Sequence, residues 1–246
     1  MKIDVILTPG DSKNDERIKS GVIVTVIDVL RVSTTIITAM ENGASSIYPV
    51  LTVQEAFDRK NQLLSEETPP ESILLGGERN SLLIPGFDMG NSPPEYTREK
   101  IGGKILILSS TNGTKAVRRS KDADGIIAAC IRNAQAAADF LLTQGKDVLF
   151  YLSGRIGEFS LEDSIGAGII IGKILKSTSA ELTDSAIACI DLAEKYSADP
   201  EAMFRKSYHG KYLLSLGLER DLEFCSKLDC SAVVPWVEGD RLIKKV

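Results

Sequence analysis

Residues 21–35 read GVIVTVIDVLRVSTT. The stretch 22–27 is apolar at every position except Thr25, the pattern of a strand buried on both faces. It ends on Asp28; Arg31 follows three residues later, then the hydroxyls of Ser33, Thr34 and Thr35. Residues 36–40 (IITAM) then predict a helix. An acid, a base and hydroxyls are thus delivered at the C-terminal edge of a strand and ahead of a helix N-terminus. Open α/β sheets bind their ligands at such an edge, and helix N-termini favour anions. Two readings stay open at this point. The stretch is a ligand site, or Asp28 pairs with Arg31 while Ser33 caps the helix.

Working outward, strands are expected at 2–8, 45–50, 72–75, 104–108, 125–129 and 147–152, and helices at 52–64, from about 115, and at 133–144. This alternation is the α/β signature. The fold class it predicts is α/β: three layers, α/β/α, with a mixed, mostly parallel sheet and a helical C-terminal segment. The chain of 246 residues is expected to form a single domain over 1–246, with room for two similar, intimately packed lobes. Within the C-terminal segment, 181–223 predicts helices broken near 197–200 and 209–217, and 232–235 and 241–244 predict a closing pair of strands.

Polar residues gather after other strands as well. Glu78 and Arg79 follow a Gly-Gly after the strand at 72–75. The loop 85–95 (PGFDMGNSPPE) carries Asn91 and Ser92 between glycines and prolines, the mark of a long functional loop. The strand at 104–108 runs into Ser109, Ser110, Thr111, Asn112, Gly113 and Thr114, whose small and hydroxyl residues suit an anion cradle. The strand at 147–152 leads to Ser160, Glu162 and Asp163. Ser160 there is the expected N-cap of a helix and Asp163 the capping-box acid. If these strands are parallel and adjacent, the four ends converge. Arginines and neutral donors suit a phosphate or sulfonate, and carboxylates suit Mg²⁺. Together they point to metal-assisted phosphoryl transfer.

Composition narrows the partners. Twenty-nine Lys plus Arg against 34 Asp plus Glu leave a net charge of −5, which argues against nucleic acid but not against a small anion. No stretch has membrane-spanning length, and the N-terminus lacks signal-peptide features, so a cytoplasmic protein is expected; a homo-oligomer is compatible with the sequence. The four cysteines, Cys130, Cys189, Cys225 and Cys230, show no C-x-x-C spacing and are read as free thiols. The single histidine, His209, is read as structural or exposed rather than catalytic. Gly166, Gly168, Gly172 and Lys173 do not form a P-loop, because the spacing is wrong and Ile174 stands where Ser or Thr is required. They are read as close-packing positions on a helix.

Several blocks taken together resemble the 2-phosphosulfolactate phosphatase family, the magnesium-dependent acid phosphatases of coenzyme M biosynthesis. The blocks are 26–35 (VIDVLRVSTT), 77–79 (GER), 86–93 (GFDMGNSP), 110–114 (STNGT), Asn133-Ala134 and 160–163 (SLED). Their order matches too. Val32-Ser33 and Ser109-Ser110 depart mildly from the family pattern while keeping hydroxyls at 33 and 110. The resemblance spans about 26–168 and transfers nothing to the segment beyond about 180. It implies Mg²⁺-dependent hydrolysis of 2-phosphosulfolactate to sulfolactate and phosphate. Asp28, Glu162 and Asp163 are then candidate Mg²⁺ ligands, directly or through water. Asp28, Arg31, Glu78 and Arg79 are the candidate catalytic set, with both arginines on anionic oxygens. Ser33, Thr34, Asn91, Ser92, Thr111, Asn112, Gly113 and Thr114 are candidate substrate contacts. A metal-activated water is the first candidate nucleophile and Asp28 the second. The alternatives are a phosphatase for another small phosphorylated hydroxy acid and a non-catalytic organic-anion sensor.

Overall fold

The computed structural model describes residues 1–10, 16–110 and 113–245. In chain order the elements are β1 (Lys2–Ile6), β2 (Val22–Ile27), α1 (Val32–Glu41), β3 (Ser46–Val50), α2 (Val53–Ser65), β4 (Ile73–Arg79), β5 (Leu82–Leu83), α3 (Arg98–Ile101), β6 (Ile105–Ser109), α4 (Gly113–Arg119), β7 (Gly125–Ala129), α5 (Ala134–Gln144), β8 (Asp147–Leu152), α6 (Leu161–Leu175), β9 (Glu181–Leu182), α7 (Asp184–Tyr196), α8 (Pro200–Lys206), α9 (Tyr208–Ser215), α10 (Glu219–Cys225), β10 (Pro235–Glu238) and β11 (Arg241–Lys244). Among the described residues no helix is long and apolar enough to cross a membrane.

The strands form one mixed, mostly parallel sheet in the order β5-β4-β6-β3-β11-β10-β7-β2-β8-β1-β9. β2 is central, parallel to β7 on one side and β8 on the other, which is why it has no polar face. Its side chains alternate between two cores. Ile23 and Ile27 join the large cluster with Ile36 of α1, Ala137 of α5 and Ile170 of α6. Val22, Val24 and Val26 join Ala116 and Val117 of α4. Helices therefore cover both faces, giving three layers. The smaller cluster of β3, β4 and β6 packs Tyr48, Leu75 and Ile107 against Ala56 and Leu63 of α2.

The expected adjacency of the site-bearing strands is not what the structure shows. β4, β6 and β3 form one parallel block; β7, β2, β8 and β1 form another. The C-terminal hairpin β10–β11 is inserted between them and runs antiparallel to both neighbours. The two blocks consequently run in opposite directions. Six strand steps separate β4 from β2, about 29 Å along a flat sheet at ~4.8 Å per step. Twist of roughly 20–25° per step accumulates to roughly 120–150° and swings the end of β4 towards that of β2.

Local boundaries also differ from the sequence reading. β4 continues through the Gly-Gly to Arg79, and the first closing strand lies at Pro235–Glu238 rather than 232–235. α1 starts at Val32, four residues earlier than expected. The break expected at 209–217 is instead helix α9. Gly210 sits inside it because a Cβ there would collide with the Phe204 carbonyl, so the glycine serves helix-to-helix contact rather than chain reversal. The close-packing reading of α6 holds: a Cβ on Gly168 would strike the Cys189 carbonyl of α7.

Candidate active site

Asp28 ends β2 and is almost fully buried (5% exposed). Its backbone N–H donates to Ser33 Oγ at 3.0 Å, its carbonyl accepts from Ser33 N at 2.9 Å, and its Oδ1 accepts from Val32 N at 3.1 Å. The carboxylate is thus the anion held by the first turn of α1. A Cβ on Gly113 would lie 2.9 Å from Val32 Cγ1 and 3.4 Å from Asp28 Oδ2, so α4 approaches Asp28 closely only because residue 113 has no side chain.

A small cleft of about 150 Å³ opens over this turn, lined by Asp28, Arg31, Glu78, Asn91, Arg155 and His209 among others. A larger cleft of about 480 Å³ lies beside Trp236. Its two arginines, Arg59 and Arg118, are already paired with Asp240 and Glu55. The smaller cleft has the buried acid Asp28 on its wall, with Glu78 facing it and Glu162 and Asp163 close behind, and that makes it the candidate for the chemistry.

Those acids are strongly perturbed. Burial raises Asp28 to about 7; the Val32 hydrogen bond opposes this, and the negative charges of Glu78 and Glu162 add to it. Burial likewise raises Glu162. Asp163 is pushed well above the usual carboxylate range by burial, then by Asp28 and Glu162. Asp163 also braces the wall: Oδ1 accepts from Val29 N at 2.9 Å and Oδ2 from Gly154 N at 3.1 Å. It ties the β2–α1 turn to the β8–α6 loop. Ser160 caps α6 by accepting from Asp163 N at 3.2 Å, as the sequence pattern predicts.

The remaining candidates divide. Arg31 lines the cleft, but its Nη1 is 2.5 Å from Asp221 Oδ2 and its Nη2 donates to the Ser81 carbonyl at 3.1 Å. Glu78 lines the cleft and accepts from Ser81 N at 2.7 Å. Arg79, the next residue on the strand, is not among the lining residues. Its guanidinium donates to the carbonyls of Glu78 and Leu51 and to Ser109 Oγ. Ser33 donates to the Val26 carbonyl and Thr34 to the Val29 carbonyl; both hydroxyls serve the turn. Ser92 Oγ lies 2.5 Å from Asp221 Oδ1, so it orients the partner of Arg31. Thr114 is buried and hydrogen-bonded to Ser110. Thr111 and Asn112 lie outside the described residues. Asn91 is buried in the cleft wall, and its Oδ1 has no hydrogen-bond partner among the described residues.

Four residues join the site that the sequence reading left out: Arg155, His209, Tyr212 and Asp221. His209 Nδ1 is 3.6 Å from Glu162 Oε1. Burial, with Arg155 and Arg31 nearby, lowers His209 to about 3. The imidazole is therefore neutral, and the contact with Glu162 is not an ion pair. Asp221 carries no motif in ERDLEFC (219–225).

The acids offer hard oxygen donors of the kind Mg²⁺ takes. Among the described residues no group of three His, Cys, Asp or Glu side chains is disposed as a complete metal site. Asp28 Oδ2 carries no hydrogen bond among the described residues, whereas both oxygens of Asp163 already accept from backbone N–H groups. The donor set fits a divalent ion that takes one or two carboxylates and completes its shell with water and substrate oxygens.

Residues 6–240 match the family described as 2-phosphosulpholactate phosphatase. Three similar proteins are each named probable 2-phosphosulfolactate phosphatase. The protein from Carboxydothermus hydrogenoformans is 45% identical over 96% of this chain and 92% of its own. That from Clostridium perfringens is 45% identical over 92% and 89%, and that from Thermotoga maritima 40% identical over 89% and 91%.

Proposed function

Since the chain belongs to the 2-phosphosulpholactate phosphatase family, we propose that it hydrolyses 2-phosphosulfolactate to sulfolactate and phosphate with Mg²⁺ as cofactor. The observation that carries this reading is a carboxylate raised to about 7, Asp28, on the wall of a small cleft that it shares with Glu78 and two arginines. Phosphoryl transfer is mostly positioning and charge stabilisation, and the cleft supplies both.

When bound, Mg²⁺ would neutralise phosphoryl oxygens and lower the pKa of water; Glu162 directly and Asp28 through a water would hold it, with Asp163 keeping the Asp28 turn in place. Asp28 Oδ2 accepts the proton of the attacking water, a task suited to a group titrating near neutrality. The water oxygen forms the new bond to phosphorus, the ester P–O bond breaks, and the leaving alkoxide of sulfolactate takes the proton that Asp28 has accepted from the water, which returns Asp28 to its carboxylate form. Arg31, held in place by Asp221 and Ser81, faces phosphoryl oxygens from the cleft wall. Asn91 orients the ester by donating from its amide nitrogen to an ester oxygen. His209, neutral, packs against Glu162 and excludes water from it.

The test is phosphate release from 2-phosphosulfolactate and from a panel of other phosphorylated hydroxy acids, with Mg²⁺ and with chelator. Preference for 2-phosphosulfolactate and loss of turnover in chelator are expected. Turnover undiminished by chelator removes the Mg²⁺ assignment. A preference for a different ester replaces the substrate.

A further inference from the structure

The two arginines of the cleft are not equivalent. Arg31 is buried and its charge is matched at 2.5 Å by Asp221. Arg155 is half-buried and, though near enough to act on Glu162, has no carboxylate within ion-pair distance among the described residues. Its guanidinium carbon lies 4.6 Å from the ring centre of Tyr208 and 4.8 Å from that of Tyr212. The two rings stand four residues apart on α9, so they share one helix face. Cation–π contact uses the flat face of a guanidinium and leaves its in-plane N–H donors available.

The backbone under Arg155 is also set. Arg155 N donates to the Glu158 carbonyl at 3.1 Å, and Glu158 N donates back at 3.0 Å. Gly154 is at φ +61°, where a Cβ would meet Pro9 Cδ at 2.9 Å as well as the Glu158 carbonyl. A pre-positioned guanidinium with unengaged donors, at the open rim beside exposed Ile156 and Tyr208, is built to take an anion from outside.

We propose that Arg155, braced by Tyr208 and Tyr212, is the specificity-determining residue of this site and takes the sulfonate of the substrate. The proposal rests on the phosphatase reading of the same cleft. With the phosphoryl group at the Asp28 end, the carboxylate sits on the ester-bearing carbon and the sulfonate one carbon further out. The terminal anion therefore points to the rim, where Arg155 is. A sulfonate stays ionised at all working pH values and presents several oxygens to the guanidinium fork.

The experiment compares 2-phosphosulfolactate with 2-phospholactate, which lacks only the sulfonate, in the full-length chain and in Arg155→Gln. The wild type is expected to prefer the sulfonated ester. Arg155→Gln is expected to lower the kcat/KM ratio of the two esters about 10–100-fold, the range of a hydrogen-bonded charge contact, mainly through KM. Arg155→Lys is expected to recover part of it. A ratio within twofold of wild type in Arg155→Gln overturns the proposal. Should that variant fail to fold, Tyr208→Ala, which removes a ring 79% exposed, is expected to lower the same ratio two- to fivefold; an unchanged ratio then overturns it. If the wild type releases phosphate from neither ester, the phosphatase reading fails on its own. Titration with sulfolactate and with lactate then decides Arg155: at least tenfold selective weakening of sulfolactate in Arg155→Gln supports the proposal, and equal affinities with wild type overturn it.

Discussion

In the turn after β2, the bonds that hold Asp28 span four or five residues, from Val32 and Ser33. On the opposite wall, Asp221 reaches Arg31 across 190 residues of sequence, Ser92 reaches Asp221 across 129, and Tyr212 Oη reaches the Asn80 carbonyl across 132. The first region is organised by its own sequence, and the buried strand beneath it makes it rigid. The second consists of short helices, α9 and α10, whose place is defined by what they touch. The comparison separates two tasks. On the proposed function, the locally built wall would carry the acid for bond breaking, and the distantly recruited wall would position Arg31 and enclose the substrate.

The sharpest way to break this division is Asp28→Asn. It is expected to lower kcat about 10²–10⁴-fold while the protein stays folded, measured by phosphate release at saturating Mg²⁺. Near-wild-type turnover would move the chemistry away from this turn. The same residue predicts a pH trend. Its folded value of about 7 lies above the reference 3.8, so the folded state holds the proton more tightly than the unfolded chain. In chelator, stability is greatest at low pH on this account and declines as pH rises from about 4 to about 7. The span is on the order of 4 kcal/mol for a shift of this size. Asp28→Asn removes that part of the decline, and the raised Glu162 and Asp163 retain a decline of the same sign. Buried His209, lowered from 6.5 to about 3, acts in the opposite sense over that range, so denaturant titrations from pH 4 to 8 compare wild type with Asp28→Asn; identical pH slopes in the two remove the buried-acid description of Asp28.

Asp221→Ala tests the distant wall. It leaves Arg31, 3% exposed, without its carboxylate, and breaking a buried pair on one side costs about 3–5 kcal/mol. A fall of that size in denaturant stability is expected, with weakened phosphate binding beside it. A loss below about 1 kcal/mol would mean that α10 merely covers the site.

These two residues also show what was legible from sequence. The β2 strand, the acid at its end and the Ser160–Asp163 cap were readable because each rests on a short-range pattern: unbroken apolar residues, or a hydroxyl three residues before an acid. The three-layer α/β fold was readable for the same reason. The strand order was not. Nothing local in 235–244 says that this hairpin will insert between two parallel blocks, or that twist will carry Glu78 across to Asp28. Asp221 and His209 were missed because their partners are set only by tertiary packing. Arg79 was read as catalytic because it sits beside Glu78 in a family block, and Arg155 carried no such mark. Alternation along β4 sends neighbouring side chains to opposite faces, and Glu78 has the cleft.

Ser33→Ala returns to the local wall with a smaller effect. Ser33 Oγ accepts from Asp28 N and donates to the Val26 carbonyl. Its removal leaves a buried N–H unpaired, at about 1–3 kcal/mol. Stability should fall by that amount with KM for substrate within about threefold of wild type. A KM increase beyond tenfold without loss of stability would make Ser33 a substrate contact after all.

The smallest change is Tyr212→Phe, which keeps the ring under Arg155 and removes only the hydroxyl that donates to the Asn80 carbonyl at 3.1 Å. That bond is exposed, so water replaces it readily and its loss is worth at most about 0.5–1 kcal/mol. It nevertheless joins α9 to the turn between β4 and β5, one of the few direct ties between the distant wall and the second sheet block. If α9 is placed mainly by this tie, Arg155 loses its bracing and KM for 2-phosphosulfolactate rises beyond tenfold in the variant. If packing of α9 against its neighbours places it, KM shifts by no more than about two- to threefold. The second outcome is expected: Leu213, on the same helix, is fully buried in the main core, and burying a leucine contributes about 1.5–3 kcal/mol, more than an exposed hydroxyl bond.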